Sequence, residues 1–402
     1  MLGLVFDPRP TRLAVAGVLS RLDPLWALSG PGPLSLRRLP DPEPPGPGWV
    51  TVEPRFTGVC GSDVTEATLQ ADWDNPLSGM VSFPHVMGHE VVASVLDPAA
   101  TDFAAGEMVV VNPWLGCAAR GLSPCPACAD GLPPLCAHQG EPLQGVSGTG
   151  IHTGNIRGLP GGMGTRMVAH QAQLHRLPDR LEAQAGVLAD PVAVGLHAAE
   201  RALAGPAPPG DAPVVVLGAG TIGLAVTASL RRLGVGRVLV SAAWPYQDAL
   251  VRALGATTIS HRPGEVVRRV AEATAGRISQ PWRGLPWLVS GGAAAVVDAV
   301  GSAGTAELSL AIVRAGGRVV RVGVGRARRT QATLTYFKEV AVVGSNGYRR
   351  PDLDTALAML AGGDIAWREW LTHRFPLQEW RRAFRIAVRP QQHAAVKVSL
   401  DI

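Results

Sequence analysis

The residues best equipped for chemistry are Cys60 and His89, in the tracts Cys60-Gly61-Ser62-Asp63 and Gly88-His89-Glu90. A thiolate and an imidazole are donors that zinc selects, and a catalytic zinc site takes three protein ligands and keeps a fourth position open. Taken singly, each has a blander reading: a lone cysteine packs as a small hydrophobe, and a lone histidine is most often a satisfied core residue. Other tracts change that balance. Downstream come a second cysteine cluster (Cys117, Cys125, Cys128, Cys136), then Asp190-Pro191-Val192-Ala193, then Val214-Val215-Val216-Leu217-Gly218-Ala219-Gly220-Thr221-Ile222-Gly223. The glycines of the last tract follow a four-residue apolar strand and open a helix. That arrangement presents backbone N–H groups and a helix dipole to a pyrophosphate, so Gly218, Gly220, Thr221, Ile222 and Gly223 are expected to bind a dinucleotide.

In this order along one chain, the tracts resemble the zinc-dependent medium-chain dehydrogenase/reductase family, close to its alcohol, polyol and threonine dehydrogenase branches. The resemblance runs from about residue 45 to the end. It implies an α/β protein with a GroES-like irregular β catalytic domain and a doubly wound parallel-sheet Rossmann domain. It also implies a hydride exchange between an alcohol and NAD(P), giving a ketone or aldehyde. Rival outcomes on the same scaffold are a zinc-retaining reductase of C=C or iminium groups and a dinucleotide-binding relative without catalysis.

By the same resemblance Cys60, His89 and Asp190 are the catalytic zinc ligands, with Glu90 beside them. Asp190 either ligates directly or leaves room for a water while Glu90 approaches the metal. Ser62 stands where the family keeps the hydroxyl that takes the substrate's proton, and Asp63 stands where a carboxylate fixes the ligand imidazole. The second cluster, with spacing Cys-x7-Cys-x2-Cys-x7-Cys, suits a closed structural zinc site. Its last three members match the family's lobe, whereas Cys117 lies further upstream than usual. The family contacts nicotinamide through backbone at the ends of later strands, here Val300, Val322 and Val324.

Cofactor choice depends on the strand after the glycines. An acid about 20 positions on would hydrogen-bond the adenosine ribose and repel a 2′-phosphate. Ser241 and Ala242 occupy that place, and no arginine follows directly. NADP is therefore expected over NAD, by a modest margin.

The elements that must position these groups fall into three segments: 1–185 and 335–402 for the catalytic domain, and 186–334 for the Rossmann domain. The first ~45 residues, rich in Pro and Gly, read as a strand or two and an extended lead-in. Val238 to Val240, Ala295 to Val300 and Arg318 to Val322 read as buried strands, and Thr221 to Leu233 as a helix. Lys338 to Gly344 reads as a strand of the returning segment, and Ile278 to Leu288 as a surface loop or interface element. Loops at Ala71 to Phe83 and Gly145 to Gly164 would shape the substrate pocket, with Trp73 and Trp114 as lining or packing residues.

A length of 402 residues allows two domains with separate cores, and 47% hydrophobic with 17% charged residues describes a globular chain. No apolar run reaches the roughly 18 residues that span a bilayer. Leu13 to Leu19 is too short for a secretory signal and lacks a small-residue cleavage site. Five cysteines, including a Cys-x-x-Cys pair, favour metal ligation over disulfides and hence a cytoplasmic setting. The +5 charge and pI near 9.2 raise the question of nucleic acid. The arginines are dispersed, however, with Arg326, Arg328 and Arg329 the tightest group besides Arg349-Arg350, and no aromatic–basic stripe accompanies them. The expected partner is a small-molecule alcohol or carbonyl, and the resemblance implies a homodimer or homotetramer.

Overall fold

The computed structural model describes residues 1–402 except residues 31, 71–74, 206–210 and 324–331, together with all side chains of helices and strands but that of Val15. Trp73, Val324, Arg326, Arg328 and Arg329 therefore lie outside the described residues. The chain divides into two compact units, Met1–Asp190 with Arg349–Ile402, and Pro191–Tyr348.

The first unit is organised by the long strand Trp49–Val59, whose alternating residues Val50 and Val52 pack in one apolar cluster with Val91, Ala93, Val109 and Val111. It sits in a seven-stranded sheet between Glu90–Asp97 and the C-terminal strand Lys397–Asp401, antiparallel to both. Pro54 cannot donate to the ladder, and the register shifts between Pro54 and Phe56 as the strand bulges. One pairing matters most for the site. Gly58 stands opposite Glu90, so the end of one strand and the start of the other bring Cys60 and His89 to the same edge. The register thus assembles residues about thirty positions apart in sequence.

The amino-terminal segment holds more structure than its composition suggests. Strand Leu2–Phe6 pairs with Leu34–Arg38 on one side and His85–Val86 on the other, but between the first two runs a helix, Pro10–Ser20. A strand or two was expected here and the helix was not. Pro10 occupies its first turn, where a missing N–H costs nothing, so the proline that signals a turn in the sequence starts a helix in the fold.

The second unit contains a six-stranded sheet in the order Thr257–Ile259, Val238–Ser241, Val214–Leu217, Ala293–Asp298, Val313–Arg321, Ala341–Gly344, with every pairing parallel. Helices Thr221–Arg232, Pro245–Ala253, Pro263–Ala273 and Ala303–Ile312 connect the strands, as parallel pairing requires. Ile278–Ser279 and Trp287–Leu288 form a separate antiparallel pair within the stretch read as a surface loop or interface element. Ala341–Gly344 belongs to the parallel sheet, not to the returning segment, and the return falls at Arg349. The reason is local: the apolar run pairs with Val313–Arg321, and the preceding Lys338 ammonium donates to Leu310 O at 2.9 Å and Ala311 O at 3.3 Å at the end of Ala303–Ile312.

Candidate active site

Cys60 directly follows the long strand, which ends at Val59, and caps the short helix Gly61–Ala67. Asp63, three residues on, accepts the Cys60 N–H at 2.8 Å through Oδ2, and its Oδ1 lies 3.6 Å from His89 Nδ1. One buried carboxylate therefore fixes the cap and orients the imidazole. Ser62 on the same turn is exposed.

Ligand atoms of Cys60, His89 and Glu90 all lie within 4.8 Å of one another, a set that could hold a metal ion. Asp190, buried in the first turn of helix Ala189–Leu203, lies outside that set. Its charge still reaches the site. Burial raises the pKa of Glu90 above the ordinary carboxylate value and Asp190 adds to the rise, against the opposing charge of Lys397. The Lys397 ammonium contacts Glu90 Oε2, both side chains being buried. A β-carbon on Gly58 would fall 1.9 Å from that Oε2 and 2.9 Å from Lys397 Cε, so this pair has room only because residue 58 is glycine.

The electrostatics suit a cation. Burial alone would depress His89, but the carboxylate of Asp63 and the sulfur of Cys60 override it and hold the imidazole well above the ordinary histidine value. The surroundings thus stabilise added positive charge, which is what a thiolate–imidazole–carboxylate set offers zinc. His152 lies beside it, its ring 5.1 Å from that of His89 and edge-on to Trp114 at 5.4 Å. Burial, followed by the charge of His89, lowers His152 to about 3, so it stays neutral. Its Nδ1 donates to Thr153 O at 2.8 Å, and its Nε2 faces Asn155 Nδ2 at 3.2 Å. Sequence reasoning singled out neither Gly58, Lys397 nor His152. Lys397 had a signal, as one of only two lysines against thirty-five arginines among the 37 basic residues.

The four cysteines of the second cluster converge with no disulfide among them. Cys117 Sγ is 3.6 Å from Cys136 Sγ, and Cys125 Sγ is 4.0 Å from the same atom. Tetrahedral zinc with Zn–S bonds of about 2.3 Å needs sulfurs about 3.8 Å apart, so the lobe fits that metal. Backbone N–H groups prepare the thiolates: Ala137 donates to Cys125, Cys117 to Cys128, Cys125 to Cys117 and His138 to Cys136, all at 3.3–3.4 Å. The bond from Ala137 leads in lowering Cys125 to about 6, whereas burial raises Cys128 and Cys136. Cys117, despite its unusual position in sequence, is fully part of the set.

In the second unit the strand Val214–Leu217 runs into Gly218 at φ +97°, a left-handed conformation that favours glycine. Gly220 caps the helix Thr221–Arg232, on which Thr221, Ile222 and Gly223 form the first turn. A β-carbon on Gly223 would lie 1.9 Å from Gly218 O, so the helix and turn approach as a pyrophosphate cradle demands. Ser241 Oγ accepts the Gly218 N–H at 3.0 Å, which ties the end of the neighbouring strand to this turn and leaves Ala242 half-buried after it. Asp298, wholly buried, accepts the Val300 and Gly301 N–H groups at 3.1 and 2.9 Å, and its backbone oxygen accepts those of Val322 and Gly323. It therefore shapes the two strand ends expected to meet nicotinamide, a role that its sequence position did not reveal.

Four convergent cysteines, a cysteine–histidine–glutamate set that could hold a metal and a glycine-rich strand-to-helix turn together fit a metal-assisted dehydrogenase. Residues 46–179 match the alcohol dehydrogenase GroES-like domain, and residues 221–362 match the zinc-binding dehydrogenase domain. Sorbitol dehydrogenase of Arabidopsis thaliana is 27% identical over 372 residues, 89% of each chain. L-idonate 5-dehydrogenase of Vitis vinifera is 27% identical over 370 residues, again 89% of each. In fold the chain is similar to 2R,3R-butanediol dehydrogenase from Bacillus subtilis, with TM-score 0.71 and 22% identity over 92% of this chain and 96% of that one. The chain belongs to the zinc-dependent medium-chain dehydrogenase/reductase family. It is an oxidoreductase that exchanges hydride between an alcohol and NAD(P), with zinc as its metal.

Proposed function

We propose that the chain oxidises a secondary hydroxyl of a polyol or amino-alcohol to the ketone, and runs the reverse reduction, with zinc held by Cys60, His89 and Glu90. The observation that carries this reading is the mutual approach of those three ligand atoms within 4.8 Å at one sheet edge. The polyol class is supported by the sorbitol and L-idonate relatives. When bound, zinc supplies Lewis acidity that makes a coordinated hydroxyl more acidic, and the nicotinamide supplies the hydride acceptor.

The protein's own groups do the rest. Asp63 holds the His89 ring through Nδ1, so the other ring nitrogen would be the one to hold zinc. Ser62 receives the substrate's proton at Oγ, from its exposed position two residues past Cys60. Asp190 supports the negative charge of the site and is the reserve carboxylate. His152 stays neutral beside His89 and adds no competing cation. The four cysteines Cys117, Cys125, Cys128 and Cys136 hold a structural zinc. Gly218, Gly220, Thr221, Ile222 and Gly223 seat the pyrophosphate, Val300 and Val322 border the nicotinamide, and Ser241 with Ala242 face the adenosine ribose. The assembly we favour is a homodimer or homotetramer in the cytoplasm, acting on small molecules. Among the described residues no helix is long and apolar enough to cross a membrane.

The test is turnover of the zinc-loaded protein with a panel of polyols, amino-alcohols and aliphatic alcohols, followed by NAD(P)H absorbance. Secondary polyols should be oxidised best. Reduction of C=C or iminium substrates without any alcohol oxidation would overturn the proposal.

A further inference from the structure

The helix Gly61–Ala67 carries a polar group that the zinc chemistry leaves unused. Glu66 is four residues past Ser62 and shares its face, because positions i and i+4 are helix neighbours with Cβ atoms about 5–6 Å apart. Thr65, also exposed on this helix, is already engaged, its Oγ1 donating to Gly61 O at 2.9 Å.

Glu66 Oε1 lies 3.4 Å from Nε2 of His85, a side chain at 0% exposure against 25% for Glu66. The other ring nitrogen, Nδ1, is 3.1 Å from Ser82 O. A carbonyl oxygen only accepts, so Nδ1 carries a hydrogen. In a neutral ring Nε2 would then turn a lone pair toward a carboxylate, a repulsive contact. Protonation of Nε2 turns that contact into an ion pair with Oε1. The His85 ring is fixed by stacking on Phe83 at 5.3 Å and Phe6 at 5.9 Å between centroids. Its buried Nε2 makes no hydrogen bond among the described residues, so the Glu66 carboxylate meets it as an ion-pair partner. Burial opposes a charged His85, yet the Glu66 carboxylate holds its pKa above the ordinary histidine value.

Few charges face this pair. Asp63 acts on His85 from the same helix, and neutral His152 stands within reach of its field. The helix Trp380–Val388 packs against Gly61–Ala67, but Arg381 is directed to Leu28 O and Arg382 to Glu379.

We propose that the Glu66–His85 pair is the proton acceptor behind Ser62 in alcohol oxidation. This rests on the reading of Ser62 given above. The substrate's O–H breaks as its proton joins Ser62 Oγ; the Ser62 O–H breaks as that proton joins the Glu66 carboxylate, directly or across one water. Glu66 then releases it to solvent at its exposed edge. The two electrons of the C–H bond leave as hydride to the nicotinamide, so one alcohol yields one carbonyl, one NAD(P)H and one proton. Neither Glu66 nor His85 touches the substrate; Glu66 acts through Ser62, and His85 positions Glu66.

The test is the single-turnover rate of NAD(P)H formation by the zinc-loaded enzyme between about pH 6 and 9, with the fastest substrate of the polyol panel. Glu66→Gln should slow it about tenfold at pH 7, less than the roughly 10²-fold of a direct acid–base group because water replaces the relay. The residual rate should climb with pH more steeply than in the wild type, and added imidazole or formate should restore it, which a structural defect would not allow. His85→Gln should give the same steepening with a smaller loss, and zinc content should be unchanged in both. A readout independent of turnover is the melting temperature: the wild type should exceed Glu66→Gln by more at pH 6 than at pH 9, since stability from a raised histidine pKa is present below the ordinary value and lost above the raised one. If Glu66→Gln does not fold, Glu66→Asp and His85→Asn carry the same comparison. An unmoved pH profile in the Glu66 variant while Ser62→Ala remains slow overturns the relay alone. A Ser62→Ala protein with wild-type rate and profile overturns the role of Ser62 as well.

Discussion

Lys397, on the last strand of the chain, places its ammonium against Glu90 Oε2 with both side chains 4% exposed or less. A buried charge without its partner is strongly destabilising, by about 3–5 kcal/mol, whereas removing both partners is far milder. Lys397→Met should therefore lower the unfolding free energy by about 3 kcal/mol. Adding Glu90→Gln to it should recover part of that loss in denaturant titration. Zinc retention should separate the two residues: Glu90→Gln should lose the catalytic metal, and Asp190→Asn should keep most of it. If Asp190→Asn empties the site while Glu90→Gln does not, the third ligand is Asp190.

The two metal centres should respond oppositely to cysteine replacement. Elemental analysis should find two zinc ions per chain. Cys60→Ala should reduce this to one and abolish turnover while leaving the melting temperature within a few degrees. Cys125→Ser or Cys128→Ser should also leave one zinc but lower the melting temperature substantially, because a structural zinc contributes folding free energy directly. A Cys60→Ala protein with wild-type turnover would refute the catalytic assignment.

Burial lowers Lys338 to about 8, beneath the ordinary lysine value of 10.5. The sign follows from proton counting: between those two values the unfolded chain binds the proton and the folded chain does not, so stability rises with pH across that window. At 1.36 kcal/mol per pH unit the rise amounts to about 3 kcal/mol. Lys338→Met removes the titrating group, so its stability should vary less between pH 8 and 10 than that of the wild type. Equal slopes in the two proteins would show that Lys338 is not desolvated as described. The variant also loses the bonds to Leu310 O and Ala311 O, which shifts its stability by a pH-independent amount.

What could be read from sequence was what travels in short tracts. Cys60, Ser62 and Asp63 lie within one helical turn, the glycines from Gly218 to Gly223 within another, and local spacing carried both. Contacts made by register were invisible. Glu90 and Lys397 are joined because Lys397–Asp401 and Glu90–Asp97 flank the same strand, and nothing local to either residue announces the other. Gly58 likewise looks like any strand glycine until Glu90 fills the space beside it. The helix Pro10–Ser20 is hidden for a different reason: turn-forming composition on both sides outweighs an apolar run of only seven residues, Leu13 to Leu19. The strand Ala341–Gly344 was assigned to the wrong unit because an apolar four-residue run carries no mark of its partner.

Ser241 Oγ is occupied by the Gly218 N–H at 3.0 Å, and the N–H groups of Ala243 and Trp244 both turn to Gln247 Oε1. The stretch from Ser241 to Trp244 therefore offers a 2′-phosphate neither repulsion from an acid nor a charge-assisted hydrogen bond from a base. NADP should be preferred over NAD by no more than about tenfold in kcat/KM, which corresponds to about 1.4 kcal/mol. Ala242→Asp would add a carboxylate that repels the phosphate and can accept a hydrogen bond from the free ribose hydroxyl. The ratio should then reverse in favour of NAD, mostly through a higher KM for NADP. A wild type strictly specific for NAD, with a ratio that Ala242→Asp leaves unmoved, would mean that the 2′ position is read by residues beyond this strand end.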